Sequence, residues 1–433
     1  MQKNTLKNKS TFVIGLISAF LIISGFPSFA IANENDNYDS LIVKPKKESI
    51  LKSKRASRLI YKYSGRNYQK LTDEIYIIPL NPSENRNEKI AELKQSGAFE
   101  IVEPDYKMSL DEESNERIYT SITKLNENQP QEDNKPPIVF SEPTEVTPND
   151  KDYGTQYYLK AVNAPKAWGI TTGNSFLVGV LDTGVDNNHP DLKGKATSGT
   201  DNDSIDLNDT IGHGTEVSGI IAANTNNSQG IAGVSWNTKI VALKITDEFG
   251  QARVSNVVNA LDQAYEKNVK IVHISLSTNQ FSQTLKNAIA QAQSRGLLVI
   301  STSGNSGVEE LRYPAAFDGV IGVGAVDNNN QLEFYSTTGE HLDLVAPGEQ
   351  IYTTSLDSSY SKVTGTSFAA PQVSGAAALI WSIAPDLTNN EVREILTNSA
   401  DDLGNPGKDK QFGSGILNIE KAVELARAKA ANN

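Results

Sequence analysis

Three short segments of this 433-residue chain carry side chains suited to proton transfer and nucleophilic attack. Leu181-Asp182-Thr183-Gly184 puts a carboxylate at the end of an apolar run. Gly212-His213-Gly214-Thr215 sets an imidazole between two glycines, and Gly365-Thr366-Ser367-Phe368-Ala369-Ala370-Pro371 sets a hydroxyl at the mouth of a small-residue stretch. A serine hydroxyl is a poor nucleophile at neutral pH, so it needs a base, and the base needs a group that fixes its tautomer. Ser303-Gly304-Asn305-Ser306-Gly307 offers a fourth part: Asn305 can donate a side-chain N–H to a tetrahedral oxyanion, beside the backbone N–H of Ser367. Taken singly, each segment has a plainer reading. A histidine between glycines marks a turn, Gly-Thr-Ser caps a helix, and Asp-Thr-Gly also occurs in aspartic proteases, which need two such loops where this chain has one. The four together, in this order, favour catalysis.

The elements that must position these groups alternate. Apolar runs predict strands at Phe176–Leu181, Ile240–Ile245, Lys270–Ile274, Leu297–Ser301, Val320–Val326 and Leu342–Val345. Amphipathic spacing predicts helices near Glu216–Asn224, Val254–Asn268 and Gln283–Ser294; a small-residue helix is expected at Ser367–Ile383, and Thr388-Asn389-Asn390-Glu391 reads as the capping box of another. Such alternation predicts an α/β fold, a parallel sheet with helices on both faces, in which active residues gather at the carboxyl ends of strands. Asp182 follows the first strand and Asn305 the fourth. Of the other histidines, His189 is expected to pack a turn, His273 to lie within a strand and His341 to sit in a surface loop.

Four regions are expected. Residues 1–32 read as a signal peptide: Lys3, Lys7 and Lys9 precede an apolar run from Phe12 to Phe29, and Ala30-Ile31-Ala32 supplies the small-x-small cleavage pattern. The alternative is a retained anchor, but the run is marginal for a bilayer and is broken at Gly25 and Pro27. Residues 33–110 hold a small α+β module, with strands at Asp73–Leu80 and Phe99–Val102 around a helix at Ser83–Ser96. Residues 111–150 contain ten acidic and three basic residues and five prolines, and are expected to be an exposed linker. Residues 151–433 form the large α/β region. A formal charge of -12 argues against nucleic-acid binding, and the absence of cysteine removes disulfides, thiolate nucleophiles and Cys-ligated zinc. The mature chain is expected to be secreted and free of the membrane.

The segments VLDTGVDNNHPDL, GHGTEVSGIIAANTNNSQGIAG, STSGNSG and GTSFAAPQVSGAAAL resemble the subtilisin-like serine proteases, from roughly Pro148 to the C-terminus. Residues 73–110, closing with Ile101-Val102-Glu103-Pro104-Asp105-Tyr106, resemble that family's inhibitory propeptide. The resemblance implies a secreted serine endopeptidase made as a self-processing zymogen, with peptide or protein substrates and its own propeptide as inhibitor and folding template. It also implies structural calcium. The loop Asn224-Thr225-Asn226-Asn227-Ser228-Gln229-Gly230-Ile231 is similar to the family's calcium loop, with Asn224, Asn227, Gln229 and Ile231 as ligands and Asp191 and Asp150 completing the shell. The alternative is a polar turn that binds nothing.

Specificity is where the chain departs from that family. The strand beside the cleft commonly reads Ser-Leu-Gly-Gly there, and here it is Ser275-Leu276-Ser277-Thr278. Ser275, Leu276, Ser277, Thr302 and Gly304 are the expected substrate-binding residues. Alignment on Tyr313-Pro314 puts Arg312 near the pocket floor, where a guanidinium would pair with a carboxylate before the cut bond. The competing idea uses Glu309 and Glu310 to attract a basic side chain, and a third leaves all three in a solvated loop. An acidic preference predicts self-cleavage after Glu100, Glu112, Glu113 or Glu116. It also fits a narrow processing role, such as an exported lantibiotic leader peptidase. The alternatives are a broad-range extracellular protease and a non-catalytic binding protein of the same fold, the last of which predicts a lost triad member. Two further departures are Glu216, where the family usually has histidine, and Phe368, where methionine is common.

Overall fold

Among the described residues a four-stranded antiparallel sheet and a seven-stranded parallel sheet hold most of the strands, beside two two-stranded pairs. The computed structural model describes residues 38–47, 50–65, 67–72, 74–81, 85–110, 143–200 and 206–432. The expected signal peptide and the candidate cuts at Glu112, Glu113 and Glu116 lie outside these residues. Among the described residues no helix is long and apolar enough to cross a membrane.

The amino-terminal module runs β1 (Ser40–Pro45), α1 (Ile50–Ser64), β2 (Gln69–Lys70), β3 (Tyr76–Pro79), α2 (Arg86–Gln95) and β4 (Phe99–Pro104). Its strands form an antiparallel sheet in the order β2-β3-β1-β4. This is a β-α-β-β-α-β unit, larger than the β-α-β pattern legible in the sequence. Alternation along its strands gives the sheet two apolar faces. Leu41, Val43, Ile78 and Val102 pack with Ile60 and Leu93 of the module's own helices. Ile42 and Ile77 point the other way, into a core shared with the large region.

The large region holds β6 (Leu177–Asp182), β7 (Ala196–Ser198), β8 (Lys239–Lys244), β10 (Ile271–Ile274), β11 (Leu298–Thr302), β12 (Ile321–Val326) and β13 (Leu342–Pro347). They make one seven-stranded parallel sheet, ordered β13-β12-β11-β10-β6-β8-β7. The expected fold class is the observed one. The six expected strands are present with ends shifted by a residue or two, and the short edge strand β7 adds a seventh.

The helices after the module are α3 (Tyr157–Ala161), α4 (Ala164–Trp168), α5 (His213–Ala222), α6 (Val254–Glu266), α7 (Gln283–Ser294), α8 (Thr366–Ile383), α9 (Asn389–Asn398) and α10 (Ile419–Asn432). Helix α8 is buried along nearly its whole length, packed with α5, α10 and the sheet, which is why it reads as apolar all round rather than amphipathic. Strand order reverses at β6, with β8 on one side and β10 on the other. That point, at the carboxyl ends of the strands, is where parallel α/β sheets build their sites.

Residues 143–150 are not the coreless linker expected of them. Val146 packs on the large core, its N–H donates to the Pro165 carbonyl, and Asp150 is buried. His341, expected on the surface, is half-buried, and burial lowers its pKa.

Candidate active site

Asp182, the last residue of β6, is fully buried, and His213 is the first residue of α5. Their meeting depends on a close approach. A Cβ at Gly214 would lie 2.1 Å from the Gly184 carbonyl oxygen, so only glycine lets the helix start settle on the Asp182 turn. Thr183 Oγ1 accepts from Gly214 N at 2.8 Å and ties the two segments. Asp209 caps α5 from outside, accepting from Gly212 N, Thr215 N and Thr215 Oγ1. Sequence reading missed Asp209; its place six residues before a threonine in the first turn of α5 gave no standard capping spacing.

The result is a fixed imidazole. His213 Nδ1 lies 2.8 Å and 3.0 Å from the two Asp182 carboxylate oxygens, so Nδ1 carries the proton and Nε2 is left to accept one. Burial pulls the His213 pKa down, but Asp182, by charge and hydrogen bond, with Glu216 and Asp209 behind it, carries it above its ordinary value. Glu216 lies one turn further along α5. Burial, with the charges of Asp209 and Asp182, pushes it up to about 7 against the opposing pull of His213. The His213 ring also packs against Phe368, with centroids 5.3 Å apart, which brings it to the residue after Ser367.

Ser367 sits in the first turn of α8 and is 3% exposed; its hydroxyl donates to the Ser275 carbonyl at 3.3 Å. Gly365, at φ 149°, turns the chain into that helix, and a Cβ there would come within 3.2 Å of Asn305 Nδ2. Asn305 is oriented by Thr366, whose N–H (3.0 Å) and hydroxyl (2.6 Å) both donate to Oδ1. The amide therefore presents its nitrogen end beside Gly365. Asp182, His213, Asn305 and Ser367 thus converge on one end of the sheet from four separate segments.

The expected substrate residues divide into wall and support. Ser277 exchanges backbone hydrogen bonds with Ser109 of the amino-terminal module, at 3.2 and 3.3 Å. Ser275 offers its carbonyl to Ser367, as above. Leu276 and Thr302 are fully buried; Leu276 belongs to the shared core, and Thr302 Oγ1 makes a very short hydrogen bond with Thr366 Oγ1. Neither side chain is exposed to a ligand.

Arg312 flanks Gly304, whose Cβ would lie 3.0 Å from the arginine Cγ and Nε. Backbone hydrogen bonds between Thr278 and Tyr313 hold the arginine segment beside the Ser275–Thr278 strand. Arg312 Nε is 3.1 Å from Glu310 Oε1, and Glu309 pairs with Lys410 at 2.6 Å. The two carboxylates offered for a basic side chain are therefore engaged by cations of this chain.

The expected calcium loop brings Asp150 and Asp191 together. Asp150 accepts from Asn226 N and Asn227 N, and Asp191 from Asn227 Nδ2, Ile231 N and Tyr360 Oη. Both carboxylates are buried; burial, with Asp191 adding its charge, raises the Asp150 pKa. Asn224 instead donates its amide to the carbonyls of Pro190 and Lys193. Gln229 N donates to Asn227 Oδ1. Among the described residues no group of three or more His, Cys, Asp or Glu side chains converges as a metal centre. Both oxygens of each carboxylate thus accept hydrogen bonds from this chain; they are oxygen ligands of the type a hard cation takes, and such an ion would have to displace those donors.

The module reaches this site through β5 (Lys107–Ser109), which pairs antiparallel with β9 (Gln251–Arg253). Met108 is buried in the shared core, and Leu110 lies against Gly250.

The model described as the subtilase family matches residues 173–415. The chain is 35% identical over 357 residues to the thermophilic serine proteinase of Bacillus sp. (strain AK1), covering 80% of this chain and 86% of that one. It is 36% identical over 281 residues to thermitase of Thermoactinomyces vulgaris, covering 64% and 99%. A solved protease from Pseudoalteromonas arctica PAMC 21717 superposes with a TM-score of 0.59 at 28% identity, covering 65% of this chain and 100% of the other.

Proposed function

The chain belongs to the subtilase family and is a subtilisin-like serine endopeptidase; from that premise we propose that Ser367 is its nucleophile, His213 its general base and Asp182 the group that orients the imidazole. The observation that carries this reading is the 2.8 Å clamp of Asp182 on His213 Nδ1, with the ring packed on the residue after Ser367. For attack, the Ser367 hydroxyl turns from the Ser275 carbonyl and gives its proton to Nε2 as Oγ bonds the substrate carbonyl carbon. The Ser367 N–H and Asn305 Nδ2 hold the oxyanion. His213 then protonates the leaving amine, and water, deprotonated in turn by His213, releases the acyl group.

The amino-terminal module acts as the inhibitory propeptide of a secreted zymogen. Its tail lies along β9 and Ser277, the path that a substrate backbone would take. Self-cleavage does not fall at Glu100, which lies inside β4 and would split the module's sheet. Because Ser109 faces Ser277, and Ser275 lies two residues nearer Ser367, the cut falls just beyond Leu110, in the acidic stretch that includes Glu112, Glu113 and Glu116. Arg312 beside Gly304, exchanging its Glu310 partner for the substrate carboxylate, selects an acidic residue before the cut bond, and a narrow substrate range follows, of which a lantibiotic leader is one case. Calcium, held by Asp150, Asp191 and Asn227 with the carbonyls of Gln229 and Ile231, would brace the loop between the two segments; it is structural and takes no part in the reaction.

Two measurements test this. Ser367→Ala should leave an uncut precursor with activity lowered about a millionfold, a size known for the nucleophile of a subtilisin; a purified variant that still matures alone refutes the nucleophile. A peptide library varied only before the cut bond should rank Glu and Asp first, and Arg312→Ala should abolish that ranking. An unchanged ranking refutes the role of Arg312.

A further inference from the structure

His273 lies on β10 in the middle of the parallel sheet, between β6 and β11, and is fully buried. The proposed proton transfers make no use of it. Its ring nevertheless reaches the nucleophile helix directly at Ser374 and, through Ser275, at Ser367. Nδ1 lies 3.0 Å from Ser374 Oγ, and Nε2 lies 2.5 Å from Ser275 Oγ. Ser275 Oγ donates to the Ser367 carbonyl at 3.2 Å, while the Ser367 hydroxyl donates to the Ser275 carbonyl at 3.3 Å. The two serines exchange hydrogen bonds, with the imidazole directly behind one of them.

Pro371 explains why the Ser367 carbonyl needs that bond. In a helix this carbonyl would accept the N–H four residues on, and position 371 has none to give. A buried carbonyl left without a donor is costly, and the Ser275 hydroxyl supplies one. The order of donors then fixes the histidine. A Ser275 hydroxyl that gives its proton to Ser367 must accept from Nε2–H, which leaves Nδ1 to accept from Ser374 Oγ at 3.0 Å in place of that hydroxyl's longer bond, 3.4 Å, to the Ala370 carbonyl. Burial, aided by His213, pulls the His273 pKa down to about 3, so the ring stays neutral and keeps this tautomer. Ser374 is seven residues from Ser367, two turns along the same face of α8, so the ring ties the helix to the sheet at both points.

We propose that His273 is a positioning residue for the nucleophile: through Ser275 it fills the carbonyl that Pro371 leaves open, and so fixes the main chain of Ser367 against the strand that lines the cleft. This rests on Ser367 as the nucleophile.

The test compares His273→Leu, His273→Asn and Ser275→Ala in the self-processed enzyme, with active sites counted by a phosphonylating serine reagent. Loss of one such hydrogen bond predicts a kcat per titrated site lower by about five- to tenfold in His273→Leu, with KM nearly unchanged. His273→Asn, which keeps an N–H donor, recovers most of that loss. Ser275→Ala matches His273→Leu, and the double variant is no slower than either alone. A His273→Leu enzyme with unaltered kcat per site overturns the proposal, as does a double variant whose losses multiply. Should His273→Leu fail to fold, Ser275→Ala decides alone, since unaltered kcat there breaks the same link. Ser367→Ala keeps the two claims apart: reagent labelling that persists in that variant refutes the nucleophile, whatever His273 does.

Discussion

The amino-terminal module and the parallel-sheet region solve the same problem in opposite ways. The large region keeps the carboxylates of its site to itself: Asp182 turns onto His213 and Asp209 onto the start of α5. The module turns three of its carboxylates on its neighbour. Glu103 accepts from Ser282 Oγ, Gln283 N and Thr284 N at the start of α7, and Asp105 accepts from Ser255 N and Oγ at the start of α6. Asp39 forms an ion pair with Arg253 beside them. Its sheet also turns Ile42 and Ile77 into the shared core. Each of those side chains would lose on the order of 1.5–3 kcal/mol of burial if the module left. A small domain with one apolar face and three carboxylates turned to its neighbour is built to depend on the surface it covers.

Three experiments would sharpen or break that contrast. The largest effect is expected inside the large region. Asn305→Ala should lower kcat by about 10²–10³, a magnitude known from a subtilisin, with little change in KM; a loss confined to KM would assign Asn305 to substrate binding instead.

An intermediate effect is expected at the junction. In the uncut Ser367→Ala precursor, Glu103→Ala with Asp105→Ala removes two helix caps, each of about 1 kcal/mol or somewhat more for a charged acceptor. Hydrogen exchange should then quicken roughly 10- to 100-fold in β1–β4 and stay constant in β6 and β10. Equal protection in both variants would show that the module stands without its neighbour.

The smallest effect is expected from Glu216→Gln. His213 accepts a proton only when neutral, so its pKa sets the acid limb of kcat/KM. The Glu216 carboxylate raises that pKa, and removing its charge lets His213 stay neutral further into acid. The limb therefore moves to lower pH. A profile that stays in place, or moves up, would separate the two groups electrostatically.

The groups proposed for catalysis stood out in the sequence because each lies within two residues of a glycine at the end of an element. Asp182-Thr183-Gly184, Gly212-His213-Gly214 and Gly365-Thr366-Ser367 announce tight turns as well as chemistry. Other parts left weaker traces. The hairpin of β14 (Ile351–Ser355) and β15 (Ser359–Val363) is largely polar, with Thr353 and Thr354 buried side by side, so no apolar alternation marks it. Helix α1 carries five basic residues and no acidic first turn, and shows no start signal. His273 looked like any residue of a buried strand, because nothing in its own neighbourhood names Ser374, a hundred residues away.

By itself, then, the sequence determined the α/β alternation, the order of Asp182, His213 and Ser367, and the family. These depend on local periodicity, and on glycines whose backbone freedom is a property of the residue alone. The tertiary structure decided what the side chains meet. It paired Glu309 and Glu310 with Lys410 and Arg312, set Glu103 and Asp105 on helix starts far along the chain, and placed His273 behind Ser275. The reason is the period of the strand: successive residues face opposite ways, so what a buried polar group touches depends on which helix packs over that face. That is settled only when the sheet and α8 come together.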